Sequence, residues 1–156
     1  MLDGYIYNAL RTPFGRHAGA LARMRPDDML AAVISEVVKQ SPFDPEKIED
    51  VVVGCANQAG EDSRCVGRHA GLLAGLPIEV AGSVLQRNCG SGLNAIVMAA
   101  QAITCGEGEA FIAGGGLDVG VAKWGLVEKL AVGHAVEGAA AGHGEVSQRN
   151  FLVQVI

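Results

Sequence analysis

Asp50-Val51-Val52-Val53-Gly54 is a near-continuous apolar run that ends at a glycine. Runs of this kind are typical of strands that are buried on both faces, as in parallel sheets. The sequence therefore predicts a central strand here, with helices covering the sheet on both sides.

The residues before this run predict one more strand and a helix. Residues 5–9 have the pattern of a short strand, and the loop at residues 11–16 follows it. From Pro26, apolar residues recur at helical spacing behind an acidic capping pair and stop before Ser41. We expect an amphipathic helix between these two points.

The residues after the run continue the alternation. Apolar residues at helical spacing predict a helix over residues 64–76, and residues 82–88 have the pattern of extended chain. Another helix is predicted from Gly90 or Ser91 to Thr104, and a short strand at residues 110–113. This order predicts an α/β layered fold with a mostly parallel sheet and helices on both faces. A further helix is predicted within residues 119–132.

Composition and charge exclude several classes of function. The 156 residues carry a formal net charge of −5 and no basic block, which argues against a nucleic-acid partner. The N-terminus has no basic region before an apolar stretch, and no apolar run approaches the length that spans a bilayer. We expect a cytoplasmic protein that does not enter membranes.

Cys89 is the strongest candidate for chemistry. The predicted helix start places it where the helix dipole and unpaired backbone amides favour a thiolate and could hold an oxyanion. The neighbours Gly90-Ser91-Gly92 leave room for a thioester or carbonyl to approach the sulfur. The alternative is that Cys89 is a small packing residue.

Two further patterns in the sequence bear on a nucleotide or a metal as ligand. Residues 90–95 match G-x-G-x-x-A, a dinucleotide-binding fingerprint, but this motif lies late in the chain and not in the first βα unit. The four cysteines and four histidines lack the spacing of metal ligands, so no metal site is predicted.

His134 and His143 are the candidates for a base. Each follows a glycine in a stretch of small residues, and a neutral imidazole is the usual proton acceptor for a cysteine nucleophile. The alternative for either one is an ordinary loop histidine.

Four ordered motifs resemble the thiolases. They are similar in particular to the acetyl-CoA acyltransferases that act on β-ketoacyl-CoA, including the β-ketoadipyl-CoA type. The resemblance covers about residues 3 to 116, and the motifs are Arg11-Thr12-Pro13-Phe14-Gly15-Arg16, Arg25-Pro26-Asp27-Asp28, residues 54–62 (GCANQAGED) and Arg87-Asn88-Cys89-Gly90-Ser91-Gly92-Leu93.

The resemblance implies a fold and a reaction. It implies a thiolase-like layered fold of which this chain is one half, a dimer or tetramer, and Cys89 as the residue that takes the acyl group. It also implies acyl-CoA and CoA as substrates, with no cofactor besides these thioesters, in fatty acid or aromatic degradation.

The chain departs from the family pattern after residue 116. We expect a thiolase N-terminal domain at residues 1–116 and a divergent tail at residues 117–156. No cysteine follows Cys105, so the family's second catalytic cysteine has no counterpart, and the loop region that holds CoA in relatives is missing. Residues 138–147 and 151–153 of the tail are faintly similar to the family's Gly-His-Pro segment and the helix after it, although the proline is absent. This similarity implies that His143 acts as the base for Cys89.

Two functions from different classes remain open. The first is an acyl-CoA acyltransferase of thiolase type, impaired by its shortening. The second is a catalytically silent thiolase remnant that serves as an oligomerisation or partner-binding module through exposed apolar surface. A third, more remote reading is a decarboxylating condensing enzyme of the same fold.

Overall fold

A computed structural model describes residues 4–13, 19–58, 64–115 and 151–155. The strands are β1 (Tyr5–Leu10), β2 (Ile48–Gly54), β3 (Ala81–Leu85), β4 (Ala110–Gly115) and β5 (Phe151–Val155), and the helices are α1 (Pro26–Gln40), α2 (Val66–Leu73) and α3 (Ser91–Cys105). A 3-10 turn at Pro45–Lys47 leads into β2. The α/β fold class predicted from the sequence is confirmed.

The five strands form one sheet in the order β1-β5-β4-β2-β3. Every pair of neighbouring strands is parallel. As a result, all five strands end at the same edge of the sheet, called here the carboxyl edge. Open parallel sheets bind ligands at this edge.

Alternating residues of β2 serve the two faces of the sheet. Val51 and Val53 join a cluster that contains buried residues of α1 and α2, whereas Val52 joins a cluster with residues of α3. This alternation follows from the two-residue period of a strand. The helices therefore cover both faces of the sheet, as the apolar run at residues 50–54 predicts.

Helix α1 has the bounds predicted from its sequence. Its N-cap residue, Arg25, makes no capping bond with its side chain but binds the Asp27 carboxylate in a two-point pair, with Nε to Oδ1 at 3.0 Å and Nη2 to Oδ2 at 2.7 Å. Asp27 is buried. Burial is tolerated because the guanidinium fork satisfies both carboxylate oxygens, and this bond lowers the pKa of Asp27.

Helix α2 is shorter than its sequence pattern suggests. Arg64 and Cys65 have positive φ angles of 65° and 67° and cannot continue a right-handed helix, so α2 begins at Val66. At the other end the helix stops at Leu73, just before Gly75 with a φ of 85°. Pro77 lies outside the helix, as predicted.

Strand β5 was not expected from the sequence. The similarity of the tail to a family segment implied a helix around residues 151–153, but the backbone there is extended and pairs with both β1 and β4. The helix predicted within residues 119–132 lies outside the described residues. The division of the chain at residue 116 stays a prediction.

Candidate active site

The candidate site lies at the carboxyl edge of the sheet, where the chain passes from β3 to α3. Strand β3 ends at Leu85 and helix α3 begins at Ser91 with Gly90 as its N-cap. Cys89 therefore precedes the N-cap and stands two residues before the first helical residue. The helix start predicted at Gly90 or Ser91 is confirmed at Ser91, so Cys89 lies just before the first turn of α3 and not within it.

Five residues form the turn that carries Cys89, residues 87–91, called here the cysteine turn. The amide of Gly90 donates to the Arg87 carbonyl at 3.0 Å, and the amide of Ser91 donates to the Asn88 carbonyl at 3.1 Å. Asn88 has a φ of 48°, in the left-handed region. Asparagine is one of the few non-glycine residues that enter this region readily.

The cysteine turn leaves Cys89 at the surface. Cys89 is exposed, whereas Cys65 is half-buried and Cys55 is buried. Cys105 is also exposed, but it is the last residue of α3, at the opposite end of the helix. Because Cys55 follows an apolar strand and Cys105 ends an apolar helix, the sequence predicts that both belong to the core, and this is confirmed for Cys55. The same expectation for Cys105 is wrong, because its helix position faces solvent.

Two other cysteines bond to nearby carbonyls. The Cys55 thiol donates to the Asn57 carbonyl, and the Cys65 thiol donates to the Gly82 carbonyl, both at 3.2 Å. Cys55 itself follows β2 at the carboxyl edge, and its amide donates to Leu85 at 3.0 Å. Next to it, Gln86 Nε2 donates to the Ala56 carbonyl at 2.7 Å. These bonds link the loop after β2 to the segment that leads into the cysteine turn.

The backbone of α3 touches the sheet directly at Gly54. A Cβ built on this glycine would overlap the carbonyl carbon and oxygen of Ser91 and would lie 2.5 Å from the amide nitrogen of Gly92. Only a residue without a side chain allows this approach. The end of β2 therefore fixes the start of α3, two residues from Cys89.

A polar side-chain pair spans the outer side of the cysteine turn. Arg87 Nη1 donates to Asn94 Oδ1 at 2.7 Å, and both residues are at or near the surface. The Asn94 amide donates to the Gly90 carbonyl at 2.9 Å, which is the first backbone bond of α3. The pair joins the turn to the helix that follows it.

The histidines predicted as bases are not placed by this structure. His143 and His134 lie outside the described residues, and so does His17. His69 lies in α2 and is half-buried. Within the described ranges, no group of three or more His, Cys, Asp or Glu side chains is arranged to hold a metal ion. No helix in the part of the chain that the structure describes is long and apolar enough to cross a membrane.

Comparison with known proteins identifies the family. A family model described as the N-terminal domain of thiolase matches residues 5–148. The chain belongs to the thiolase family. The motifs at residues 11–16, 25–28, 54–62 and 87–93 are therefore correctly assigned.

Individual thiolases give the extent of the similarity. β-Ketoadipyl-CoA thiolase of Acinetobacter baylyi is 53% identical over 116 residues, which are 74% of this chain and 29% of that protein. The 3-oxoadipyl-CoA/3-oxo-5,6-dehydrosuberyl-CoA thiolase of Escherichia coli is 51% identical over 116 residues, again 74% of this chain and 29% of that protein. The crystal structure of Bacillus anthracis acetyl-CoA acetyltransferase is 36% identical with a TM-score of 0.63, covering 67% of this chain and 26% of that one. The chain thus spans about 29% of the length of the curated thiolases that it matches.

Two residues of this candidate site are not singled out by the sequence patterns. Ser91 was read only as one of three small neighbours of Cys89, although it is buried and hydrogen-bonded inside the cysteine turn. Gly54 was read only as the end of a strand. For Ser91, its place at the predicted start of a helix could have indicated the role, because a serine hydroxyl there can bond to the backbone of the preceding turn.

Proposed function

We propose that this chain carries the acyl-accepting half of a thiolase-type acyltransferase, with Cys89 as the nucleophile. The observation that carries the proposal is the exposed thiol of Cys89 on a tightly bonded turn at the carboxyl edge. The identity of 53% to a β-ketoadipyl-CoA thiolase supports the same reaction class. Thiolates of exposed cysteines near helix starts are effective nucleophiles toward carbonyl carbons.

The reaction consists of two acyl transfers. In the first, the Cys89 sulfur bonds to the carbonyl carbon of an acyl-CoA thioester, the bond from that carbon to the CoA sulfur breaks, and CoA leaves with the proton taken from Cys89. In the second, the carbanion of acetyl-CoA or the thiolate of CoA bonds to the acyl carbon, the bond from that carbon to the Cys89 sulfur breaks, and the Cys89 thiolate takes up the proton that acetyl-CoA or CoA has lost. For a β-ketoacyl-CoA in the cleaving direction, the Cys89 sulfur bonds to the β-carbonyl carbon, the bond between the α- and β-carbons breaks, and the departing acetyl-CoA enolate takes up the proton from Cys89.

The proton of Cys89 needs an acceptor, and we propose His143 for this role. The proposal rests on the similarity of residues 138–147 to the family's histidine segment and on the suitability of imidazole as a base near neutral pH. His134 is the second candidate. Replacement of the acting histidine by glutamine lowers the rate of Cys89 acylation at neutral pH by about 100-fold, in line with the contribution of general bases.

The proposed substrates are β-ketoacyl-CoA thioesters and CoA, with no further cofactor. The activities for which the two bacterial relatives are named favour β-ketoadipyl-CoA and hence the degradation of aromatic compounds. Comparison of acetoacetyl-CoA with β-ketoadipyl-CoA as acyl donors tests this preference. A faster acylation by the dicarboxylic substrate is expected.

The decisive test is the intact mass of the chain after exposure to acetyl-CoA or acetoacetyl-CoA. Cys89→Ser is the test variant and Cys105→Ser is the matched control, because both cysteines are exposed and both flank α3. One acetyl group on the unsubstituted chain and on Cys105→Ser, but none on Cys89→Ser, is the expected result. Absence of the adduct from a folded sample contradicts the acyltransferase proposal.

The second candidate function is association without catalysis. Its support is a set of exposed large apolar side chains, among them Leu93 of α3 and Ile78 after α2, which are 68% and 73% exposed. Association that covers such side chains removes apolar surface from water and is favourable for that reason. We propose a homo-oligomer, a dimer or tetramer, for either function, and sedimentation equilibrium measures its size. A monomer at micromolar concentration contradicts this part of the proposal.

A further inference from the structure

The side chain of Ser91 lies inside the cysteine turn and is almost fully buried, with 4% of its surface exposed. Its hydroxyl donates to the Asn88 carbonyl at 2.6 Å and accepts from the Arg87 amide at 2.8 Å. Both bonds reach backward past Cys89, which lies between the bonded residues and Ser91. The hydroxyl therefore closes a ring of the chain that contains Cys89.

These bonds differ from those of an ordinary helix cap. A capping serine stands before the helix and accepts a bond from an amide of its first turn. Ser91 is instead the first residue within α3, and its hydroxyl bonds to residues that precede the helix. Its side-chain bonds stabilise the turn and do not serve the helix.

The backbone of Ser91 is fixed independently of its hydroxyl. Gly54, at the end of β2, contacts the Ser91 carbonyl so closely that no side chain fits between them. Strand β2 is an interior strand of the sheet, between β4 and β3, and its Val51 and Val53 are 1% and 2% exposed. Ser91 is thus anchored on the sheet through its backbone and holds the cysteine turn through its hydroxyl.

We propose that Ser91 is a positioning residue for Cys89, and that its hydroxyl bonds limit how far the Cys89 sulfur moves relative to the sheet. This inference rests on the proposed function of Cys89. Nucleophilic attack needs the sulfur within a narrow range of distance and direction from the carbonyl carbon, and small displacements lower the rate steeply. A turn held at both Arg87 and Asn88 limits the displacements of the residue that follows them.

The test compares Ser91→Ala with Thr104→Val in the full 156-residue chain. Thr104 is a matched control because its hydroxyl also donates to a backbone carbonyl, that of Ala100 at 2.7 Å, and it lies at the far end of the same helix. The measurement is the rate of Cys89 acylation at increasing acetoacetyl-CoA concentration, followed by mass. Urea unfolding of both variants is recorded in parallel.

The expected result is a split between rate and binding. Ser91→Ala lowers the maximal acylation rate about tenfold or more and leaves the half-saturating concentration within about twofold, whereas Thr104→Val changes neither. Ser91→Thr, which keeps a hydroxyl, recovers much of the lost rate. Ser91→Gly, which also removes the hydroxyl, lowers the maximal rate in the same direction and serves if Ser91→Ala does not fold.

The outcomes separate this inference from the proposed function. No acylation of the unsubstituted chain contradicts the role of Cys89 itself. Acylation of the unsubstituted chain with an unchanged maximal rate in Ser91→Ala, or in Ser91→Gly, contradicts only the role of Ser91. Equal losses in Ser91→Ala and Thr104→Val also overturn it, because they indicate a general loss of stability.

Discussion

Gly54 and Ser91 are in direct backbone contact, although 36 residues separate them along the chain. A Cβ on Gly54 would overlap the Ser91 carbonyl group. The contact joins the last residue of β2 to the first residue of α3 and determines how closely α3 approaches the sheet. Backbone has little freedom to move aside, so this position accepts no larger residue.

We expect Gly54→Ala to lower the free energy of unfolding by about 3 kcal/mol, at the upper end of the usual cost of overpacking. Urea denaturation measures this change. Gly90→Ala is the control, because Gly90 has a negative φ and its added Cβ would meet only the Arg87 carbonyl oxygen at 3.4 Å. We expect the control to lose less than about 1 kcal/mol. Similar stabilities for the two variants would contradict the contact.

The Arg25–Asp27 pair predicts a dependence of stability on pH. The hydrogen bond from Arg25 lowers the pKa of Asp27 below 3.8, so the folded state favours the carboxylate more than the unfolded state does. The resulting stabilisation is complete above pH 3.8 and is lost as the pH falls through the pKa of the folded state.

Asp27→Asn should therefore cost about 1–2 kcal/mol at pH 7 and progressively less in acid. The measurement is urea unfolding at several pH values. Asp28→Asn is the control, since the Asp28 carboxylate is 52% exposed and lies 3.9 Å from Arg25 Nε. A constant difference between Asp27→Asn and the unsubstituted chain down to pH 2 would disagree with the assigned pKa direction.

The four cysteines should react with iodoacetamide in an order set by their surroundings. Cys89 and Cys105 are exposed and should react first, Cys65 more slowly, and Cys55 only after unfolding. Cys55 is 1% exposed, so the reagent reaches it only when the core opens. Peptide mass spectrometry after timed alkylation gives the four rates. Modification of Cys55 in the native protein as fast as that of Cys89 would refute the packing after β2.

Arg68 stabilises the connection between α2 and β3. Its guanidinium donates to the carbonyls of Val80 and Ile78, the latter at 2.8 Å. Arg68→Lys should cost about 1–2 kcal/mol, because an ammonium group lacks the fork that reaches both carbonyls. The thermal unfolding midpoint reports the loss, with the exposed Arg23→Lys as control. Equal midpoints for the two variants would argue against this role of Arg68.

Sequence patterns predicted those parts of the fold that local chemistry determines. The valines of β2 must be buried on both faces, and the apolar spacing of α1 permits only a helix between Pro26 and Ser41. The start of α3 was predicted to within one residue, and Cys89 lies just before it. The one-residue ambiguity arises because Gly90 can either start a helix or precede it.

Other features depend on contacts that no local pattern encodes. Ser91 fits a small-residue motif equally well whether its hydroxyl faces solvent or the backbone of Arg87 and Asn88. Strand β5 was missed because its position comes from pairing with β1 and β4, which are distant in sequence. Pairing over such distances is decided by tertiary structure and not by propensity.

The location of β5 also has a consequence for the order of folding. Strand β1 bonds only to β5 among the described strands, so β2, β3 and β4 can assemble while residues 5–10 still lack a partner. The sheet is complete only when β5, residues 151–155, pairs with β1 and β4. This step joins segments that are far apart in sequence, so it is expected to be slow. Until then, the backbone edge of β4 that β5 covers can pair with another chain, and the apolar side chains of Tyr5 and Ile6 can contact it. A nascent or partly unfolded chain should therefore aggregate through this gap and need chaperone protection during synthesis.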